Sequence, residues 1–191
     1  MMTDKTGDAI RLLLDRAEIW DAMCRYCRGV DRGDYDLMRT AYHTDAYDDH
    51  VDFKGTIDEL VAWLEERFAG VDNSQHFLGN HLVEFAGPDL ALVETSFTSR
   101  RTRKPTDKEQ ATLNPGDAIC RESWGRYVDR FERRDGAWRV ARRIVVLDSS
   151  LLSVALHGMR SGNKNWGTRD RSDHLYAMQT EIFGSKAQGP T

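Results

Sequence analysis

The chain has 191 residues, of which 40% are hydrophobic and 30% are charged, and these values suit one globular domain. Its formal charge of −4 excludes nucleic-acid binding that is driven by bulk positive charge. No apolar stretch approaches the roughly 18 residues of a membrane span, and the polar N-terminus lacks a signal-peptide core. We therefore expect a cytoplasmic protein that binds neither nucleic acid nor membrane.

A long amphipathic helix is predicted at residues 8–31. Apolar residues recur there in alternating steps of four and three, and the next position in this stripe is Asp31. The stripe consists of Leu13, Ala17, Trp20, Cys24 and Cys27. Gly33 can end this helix, and Asp34 can cap a short second helix that leads towards Tyr42.

A strand and a third helix are predicted next. Residues 46–53 are strand-like, and a turn at 54–55 ends the strand. Residues 56–59, Thr-Ile-Asp-Glu, have the form of a capping box, so a helix should begin there and end at Gly70.

Four long segments with strand character follow Gly70. They are residues 75–85, 90–101, 119–134 and 137–148. The turn residues at 87–89 and the Asp135-Gly136 dipeptide form tight connections, so neighbouring strands should be antiparallel. Strands of this length must curl strongly. Helices followed by long strands predict an α+β fold in which the N-terminal helices cover the concave face of a curved antiparallel sheet.

Two segments stand apart from this pattern. Residues 102–118 are polar and contain Pro105, and a loop of this length predicts a lid, a binding loop or a subunit contact. We assign residues 1–148 to the domain. Residues 149–191, which begin with a mixed apolar segment at 149–157, are expected to be a C-terminal extension that packs on the domain or at a subunit interface.

Asp31 is the first candidate for chemistry, because the helical stripe turns its carboxylate towards the interior. Burial and the negative end of the helix dipole would both raise its pKa towards the range of a general base. Alternatively, Asp31 bonds backbone groups at the helix end or pairs with Arg28 or Arg32.

His76 begins the first long strand. Alternation with a period of two places it on one face with Leu78, Asn80 and Leu82. A histidine on such a face is either a core residue with satisfied hydrogen bonds or a catalytic group.

Arg143 on the last strand is a third candidate. It alternates with Val145 and Leu147, so its guanidinium should project into an apolar interior, where it must bind an anion or a carbonyl. The alternative is a buried ion pair with Glu122 or Asp129 on the adjacent strand.

Other polar clusters carry weaker signals. A run of potential metal ligands could form an iron or zinc site, but strand alternation sends neighbours to opposite faces, so we assign no metal. This run contains His43, Asp45, Asp48, Asp49 and His50. A basic run at residues 100–104 is interpreted as a solvated edge rather than an anion site.

Four segments resemble the SnoaL-like branch of the NTF2-like superfamily, which includes scytalone dehydratase, lindane dehydrochlorinase and the bile-acid 7α-dehydratases. They are YCRGVDRGD at 26–34, YHTDA at 42–46, QHFLGN at 75–80 and FERRDGAWRVARR at 131–143. The resemblance implies a cone-shaped α+β barrel with an internal cavity, no cofactor, and a homodimer or homotrimer. It also implies a lyase of dehydratase or dehydrohalogenase type that acts on a small apolar hydroxylated or halogenated ring compound.

The resemblance assigns roles to individual residues. Asp31 looks like the aspartate that orients the general base, and His76 looks like that base. Arg143 resembles the basic residue that binds the leaving group, and Tyr26 resembles a pocket hydroxyl that acts as an acid or polarises a carbonyl. The residues expected to contact a hydrophobic or aromatic substrate are Trp20, Tyr42, His50 and Asn80.

Other functions remain open at the level of the sequence. One alternative is a C–C lyase that releases formaldehyde from a lignin-derived aromatic diol. Another is a non-catalytic NTF2-like protein that binds a small molecule. Related scaffolds also carry isomerases and hydrolases, so the fold alone does not identify the reaction.

Overall fold

The computed structural model describes residues 5–155 and 165–184 of the chain. The helices are α1 (Lys5–Arg32), α2 (Tyr35–Arg39), α3 (Ile57–Arg67), α4 (Asp107–Gln110) and α5 (His174–Phe183). The strands are β1 (Tyr42–Asp49), β2 (Lys54–Thr56), β3 (Val71–Gly87), β4 (Leu90–Arg103), β5 (Ala118–Arg134) and β6 (Ala137–Ala155). None of the helices within the described ranges is long and apolar enough to cross a membrane.

The six described strands form one curved, open sheet in the order β2-β1-β6-β5-β4-β3. The four long strands pair in sequence, β3 with β4, β4 with β5 and β5 with β6, and all three pairs are antiparallel. The long helix α1 packs against β3 and β6. The predicted α+β fold, with N-terminal helices over a strongly curved sheet, is confirmed.

One strand pair departs from the antiparallel prediction. β1 pairs with β2 in the antiparallel sense but with β6 in the parallel sense. The prediction rested on tight turns between strands that follow one another along the chain. β1 and β6 are separated by most of the sheet in sequence, so no turn between them indicates their relative direction.

The stripe through which α1 packs on the sheet matches the predicted one only near its C-terminal end, at Cys27 and Asp31. Its buried side chains include Ile19, Met23, Tyr26 and Val30. Leu13, which belongs to the predicted stripe, is 67% exposed. All residues from 5 to 14 are exposed, so the apolar residues among them shifted the phase of the predicted pattern.

The chemical signals at the helix ends predicted the structure correctly. Gly33 follows α1 with a φ of +66°, and Asp34 caps α2 by accepting a hydrogen bond from the backbone N–H of Leu37 over 3.3 Å. Thr56 and Glu59 form a reciprocal capping box at the start of α3. These caps fix where α1 ends and where α3 begins, on either side of the space that becomes the candidate site.

A β-bulge in β3 changes which residues face the interior. The register of β3 against β4 shifts at residues 79–80, so the alternation that starts at His76 does not continue past this point. Asn80 is exposed and Leu82 is 58% exposed, whereas Val83 is buried. The prediction that His76 shares a face with Asn80 and Leu82 was therefore wrong.

The long polar segment is shorter than predicted. β4 extends to Arg103 and β5 begins at Ala118, so the connection between them is residues 104–117 and contains α4. β6 extends to Ala155, past the predicted end of the last strand at residue 148. The predicted apolar segment ends at His157, which lies outside the described residues.

Residues 165–184 contact the ends of α1 and α2. Arg169 Nη2 donates a hydrogen bond to the backbone oxygen of Val30 over 2.8 Å. The hydroxyl of Tyr176 donates to Asp34 Oδ2 over 3.2 Å. The division of the chain into a domain and a C-terminal extension stays a prediction.

Candidate active site

Asp31 and His76 meet where the end of α1 packs against β3. The hydroxyl of Ser74 donates a hydrogen bond to Asp31 Oδ1 over 2.8 Å, and the backbone N–H of His76 donates to Oδ2 over 2.8 Å. The His76 ring completes the cluster, with 2.7 Å between its Nδ1 and Asp31 Oδ1. Asp31 is 7% exposed, so its carboxylate does turn inward, as the sequence predicted.

The surroundings of Asp31 keep its carboxylate ionised. Burial raises the pKa of Asp31, but the charge of His76 and the hydrogen bonds from His76 and Ser74 outweigh it, so the pKa lies below its usual value. The expectation of a raised pKa was wrong, because it counted desolvation and the helix dipole but not these donors.

The hydrogen bond to Asp31 also selects the tautomer of His76. An ionised carboxylate only accepts hydrogen bonds, so the neutral imidazole carries its proton on Nδ1. The other ring nitrogen, Nε2, then has a free lone pair. Among the hydrogen bonds of the described residues none uses Nε2, and His76 lines a cavity. The geometry thus provides an oriented base at the cavity wall.

The cavity lies between α1, α3 and the concave face of the sheet. Together with its opening it encloses about 800 Å³. Phe97 and Tyr127 form an aromatic part of its wall, and their rings stack with 4.4 Å between centroids. The ring of His76 lies 6.4 Å from that of Phe97 and 6.4 Å from that of Tyr26. The aromatic part of the wall lies beside the base, where it can contact a small ring compound.

Tyr26 borders this cavity from α1. Its side chain is 1% exposed, and its ring lies edge-on to that of Tyr127 with 5.5 Å between centroids. Burial raises the pKa of Tyr26 well above its usual value, so its hydroxyl stays protonated at neutral pH. Tyr26 can therefore donate a hydrogen bond to a molecule in the cavity, but burial makes it a weak acid, and as a neutral phenol it cannot act as a base.

Arg143 is fully buried, and its guanidinium is bound on all sides. Nε and Nη2 donate to the two carboxylate oxygens of Asp129 over 2.8 and 2.7 Å, and Nη1 donates to the Tyr42 hydroxyl over 3.0 Å. The guanidinium carbon lies 4.2 Å from the ring centroids of both Tyr26 and Tyr127. Arg143 is therefore in the buried ion pair that the sequence analysis left open, and it does not line the cavity.

Of the four residues expected to contact substrate, only His50 lines the cavity in the described part of the chain. Tyr42 is buried behind the wall, where its hydroxyl donates to Asp48 Oδ2 over 2.8 Å. Trp20 packs against β3 outside the cavity. Asn80 is exposed because the bulge in β3 turns it away. A contact between substrate and His50 stays a prediction.

Arg101 enters the cavity wall from β4, which the sequence analysis did not foresee. Two other arginines of the basic run form ion pairs with carboxylates. Arg100 pairs with Glu122 over 3.4 Å, and Arg103 pairs with Glu109 over 2.8 Å. Strand alternation turns the side chain of Arg101 to the face of β4 opposite that of Arg100. The interpretation of the whole run as a solvated edge was therefore wrong for this residue.

Two further groups at the site were missed from the sequence. Ser74 lies two residues before His76 on the same strand face, and this spacing could have identified it as a second donor to Asp31. Arg121 stands directly opposite Arg101 across β4 and β5. Nothing local in the sequence indicates that register.

The predicted run of metal ligands is divided among separate partners. His43 Nε2 lies 2.9 Å from the backbone oxygen of Glu132, and Asp45 pairs with Arg134 over 2.6 Å. Across residues 5–155 and 165–184, no three His, Cys, Asp or Glu side chains converge on a point that could hold a metal ion.

Comparison with known proteins gives a family match. A sequence profile described as a SnoaL-like domain matches residues 11–144, which is more than half of the chain. No curated protein matches the sequence significantly.

Several crystal structures share the fold. A Novosphingobium aromaticivorans protein provisionally assigned as a scytalone dehydratase is 17% identical, with a TM-score of 0.63 over 75% of this chain and 90% of its own. The hexachlorocyclohexane dehydrochlorinase LinA-type3 of Novosphingobium barchaimii is 19% identical, with a TM-score of 0.59 over 78% of this chain and 97% of its own.

A third structural neighbour carries a different functional name. It is a protein of Novosphingobium aromaticivorans, provisionally assigned as an aromatic ring hydroxylase, and it is 22% identical with a TM-score of 0.60. The match covers 75% of this chain and 95% of that protein. At such identities the likeness establishes the fold, whereas the reaction has to be argued from the site.

Proposed function

Because the chain belongs to the SnoaL-like domain family, we propose that it is a cofactor-independent lyase of dehydratase or dehydrohalogenase type. One observation carries this proposal. Nδ1 of His76 is fixed 2.7 Å from Asp31 Oδ1, which leaves Nε2 as an oriented base at the wall of a cavity that also has an aromatic part. A base positioned in this way contributes on the order of 10²–10⁴-fold to the rate.

In the proposed reaction, Nε2 of His76 takes a proton from the carbon next to the one that carries the leaving group. The electron pair of the broken C–H bond forms a carbon–carbon double bond. The leaving group departs with its bonding electrons, as halide or, after protonation, as water. Tyr26 can donate a hydrogen bond to the leaving group because its hydroxyl is neutral, and the ionised Asp31 stabilises the imidazolium on His76, from which a departing hydroxyl takes its proton.

The lining of the cavity supports a small apolar ring compound, hydroxylated or halogenated, as substrate. Phe97, Tyr127, Val145 and Leu147 form one continuous apolar wall from β4 across β5 to β6. Such a wall binds a ring by burial of apolar area and by aromatic contact. The leaving group has no partner in Arg143, so this proposal gives that arginine no part in the reaction.

The test is turnover of a panel of hydroxylated and halogenated ring compounds by the wild type and by His76→Gln. We expect at least one compound to lose water or halide with the wild type, measured by mass spectrometry and a halide electrode, and none with His76→Gln. His174→Gln is the matched control, since His174 is exposed on α5 and does not line the cavity. Turnover by His76→Gln near the wild-type rate contradicts the proposal.

The same panel separates the alternatives. If lignin-type diols are included, release of formaldehyde in a colorimetric assay identifies C–C cleavage, in which the same base would remove a hydroxyl proton. A compound that binds tightly but is recovered unchanged after long incubation favours a binding protein.

A further inference from the structure

Two arginines face each other across the cavity wall. Arg101 of β4 and Arg121 of β5 are directly opposite in the antiparallel register, and both line the cavity. Side chains in such a pair project from the same face of the sheet and lie close together. Like charges at directly opposite positions destabilise a sheet. This arrangement therefore costs stability unless something negative lies between the two guanidinium groups.

Within the described residues, the charge of Asp52 acts on Arg101 and raises its pKa, but no carboxylate forms an ion pair with either arginine. Neither Arg101 nor Arg121 has a carboxylate within the 4.0 Å of an ion pair in the described residues. The aspartate that borders the same cavity, Asp52, is held by Arg67 over 3.2 Å. The only side-chain hydrogen bond of Arg121 within these residues is to the hydroxyl of Ser150 over 3.3 Å.

The next pair along the same strands shows the contrast. Arg100 and Glu122 are also directly opposite each other, but their charges are opposite and 3.4 Å apart. The same two strands thus carry an ion pair at one position and an unbalanced arginine pair at the next, although Arg100 also borders the cavity. Burial and the charges of Arg67, Arg121 and Arg103 lower the pKa of Arg101 to about 10, which still leaves it protonated at neutral pH.

The position of the arginine pair relative to the base follows from the register. His76, Ser99 and Ser123 form one row across β3, β4 and β5. The arginine pair occupies the next row on the same face, two residues along each strand. Two residues of a strand span about 7 Å, a distance that a substituted ring can bridge. One ligand can therefore contact both rows at once.

We propose that the substrate is a ring compound that carries a carboxylate, and that Arg101 and Arg121 bind this carboxylate while the ring lies beside His76. The inference rests on the proposed function for the reaction at His76, and it names the class of substrate. A carboxylate has two oxygens in one plane, which match planar guanidinium groups. The aromatic wall then takes the rest of the molecule.

The experiment is a comparison of binding that does not depend on turnover. Isothermal titration calorimetry measures the affinities of benzoate, cinnamate and 2-naphthoate, and those of the corresponding neutral amides, for the wild type. We expect at least one carboxylate to bind about tenfold tighter than its amide, as charge-assisted hydrogen bonds require. The preference should weaken as salt is added, because ions screen the arginines.

Two variants and a control locate the effect. Arg101→Gln and Arg121→Gln should each bring the affinities of carboxylate and amide together. Arg126→Gln should keep the preference, since Arg126 lies on β5 but pairs with Asp148 over 2.9 Å away from the cavity. The proposal is overturned if no carboxylate in the panel binds tighter than its amide, or if the preference survives in both arginine variants.

The same titrations with His76→Gln separate this inference from the proposed reaction. If that variant keeps the preference for carboxylates and the wild type turns over no compound, the binding site stands and the lyase proposal fails. If the wild type eliminates water or halide from neutral compounds and binds carboxylates no tighter than their amides, the proposed reaction stands and the carboxylate site fails.

Discussion

At the scale of single residues, the buried charges differ in whether the protein itself neutralises them. Asp31 accepts hydrogen bonds from Ser74 and from the ring and backbone of His76. Arg143 has both oxygens of Asp129. Arg101 has no carboxylate partner among the described residues, although it lines the cavity. Removal of the partner of an internally paired charge destabilises the fold, whereas an unpaired charge in a cavity is available to a ligand.

The lowered pKa of Asp31 makes stability depend on pH in a defined direction. Its pKa is lower in the folded than in the unfolded chain, where it is about 3.9. The contribution of Asp31 is therefore complete above about pH 5 and is lost as the pH falls through the folded pKa. We expect urea unfolding between pH 6 and pH 3 to show a smaller acid loss in Asp31→Asn than in the wild type. Identical pH profiles of the two proteins would show that Asp31 does not titrate below its usual range.

Substitution of Arg143 should lower the free energy of unfolding. Arg143→Met leaves the Asp129 carboxylate buried without a partner, a loss of about 3–5 kcal/mol in the free energy of unfolding. Arg126→Met, at an exposed ion pair, should cost less than about 1 kcal/mol. Urea denaturation compares the two variants with the wild type. If Arg143→Met is as stable as the wild type, this structural role is contradicted and the earlier expectation that Arg143 binds a leaving group returns.

At the scale of elements, local chemistry predicted the ends of helices better than it predicted the ends of strands or the faces of either. The helix caps at Asp34 and Thr56 were predicted correctly, because each side chain bonds to a backbone N–H only three residues further along the chain. The face of Asn80 was missed, because one extra residue in a bulge reverses the alternation that follows. The cavity position of Arg101 was missed for a related reason. It depends on the register with Arg121, which is set by the whole sheet.

The bulge in β3 should be essential for packing. Deletion of Gly79 restores a simple alternation, so either His76 or the segment with Val83 must turn to the wrong face. We expect the free energy of unfolding to fall by more than about 3 kcal/mol, the range for core side chains that lose their packing. Deletion of Thr112, in the connection between β4 and β5, is the control and should cost much less. Equal losses in denaturant melts of the two deletions would contradict this role for the bulge.

At the scale of the whole molecule, the C-terminal part of β6 has a free strand edge and exposed leucine side chains. β1 pairs with β6 only as far as Ile144, so residues 145–155 have an unpaired edge in the described structure. Leu151 and Leu152 are 50% and 55% exposed along this edge. An exposed apolar strand edge favours association with another chain. This surface fits the homodimer or homotrimer that the resemblance implies.

The oligomeric state is a direct test of that surface. We expect light scattering to give two or three times the mass of one chain, and Leu152→Glu to shift the mass towards that of a monomer. Leu92→Glu is the control, because Leu92 is 49% exposed on β4 but lies away from the free edge of β6. A wild-type protein with the mass of a single chain would overturn the expectation.

The placement of the base on one strand also bears on chirality. His76 reaches the cavity from β3 alone, and in the proposed reaction a ring that contacts the stacked rings of Phe97 and Tyr127 would lie against β4 and β5. Only one of the two faces of such a ligand then presents its hydrogen to Nε2. A racemic substrate would be consumed to one half, and the remaining enantiomer would be recovered optically pure.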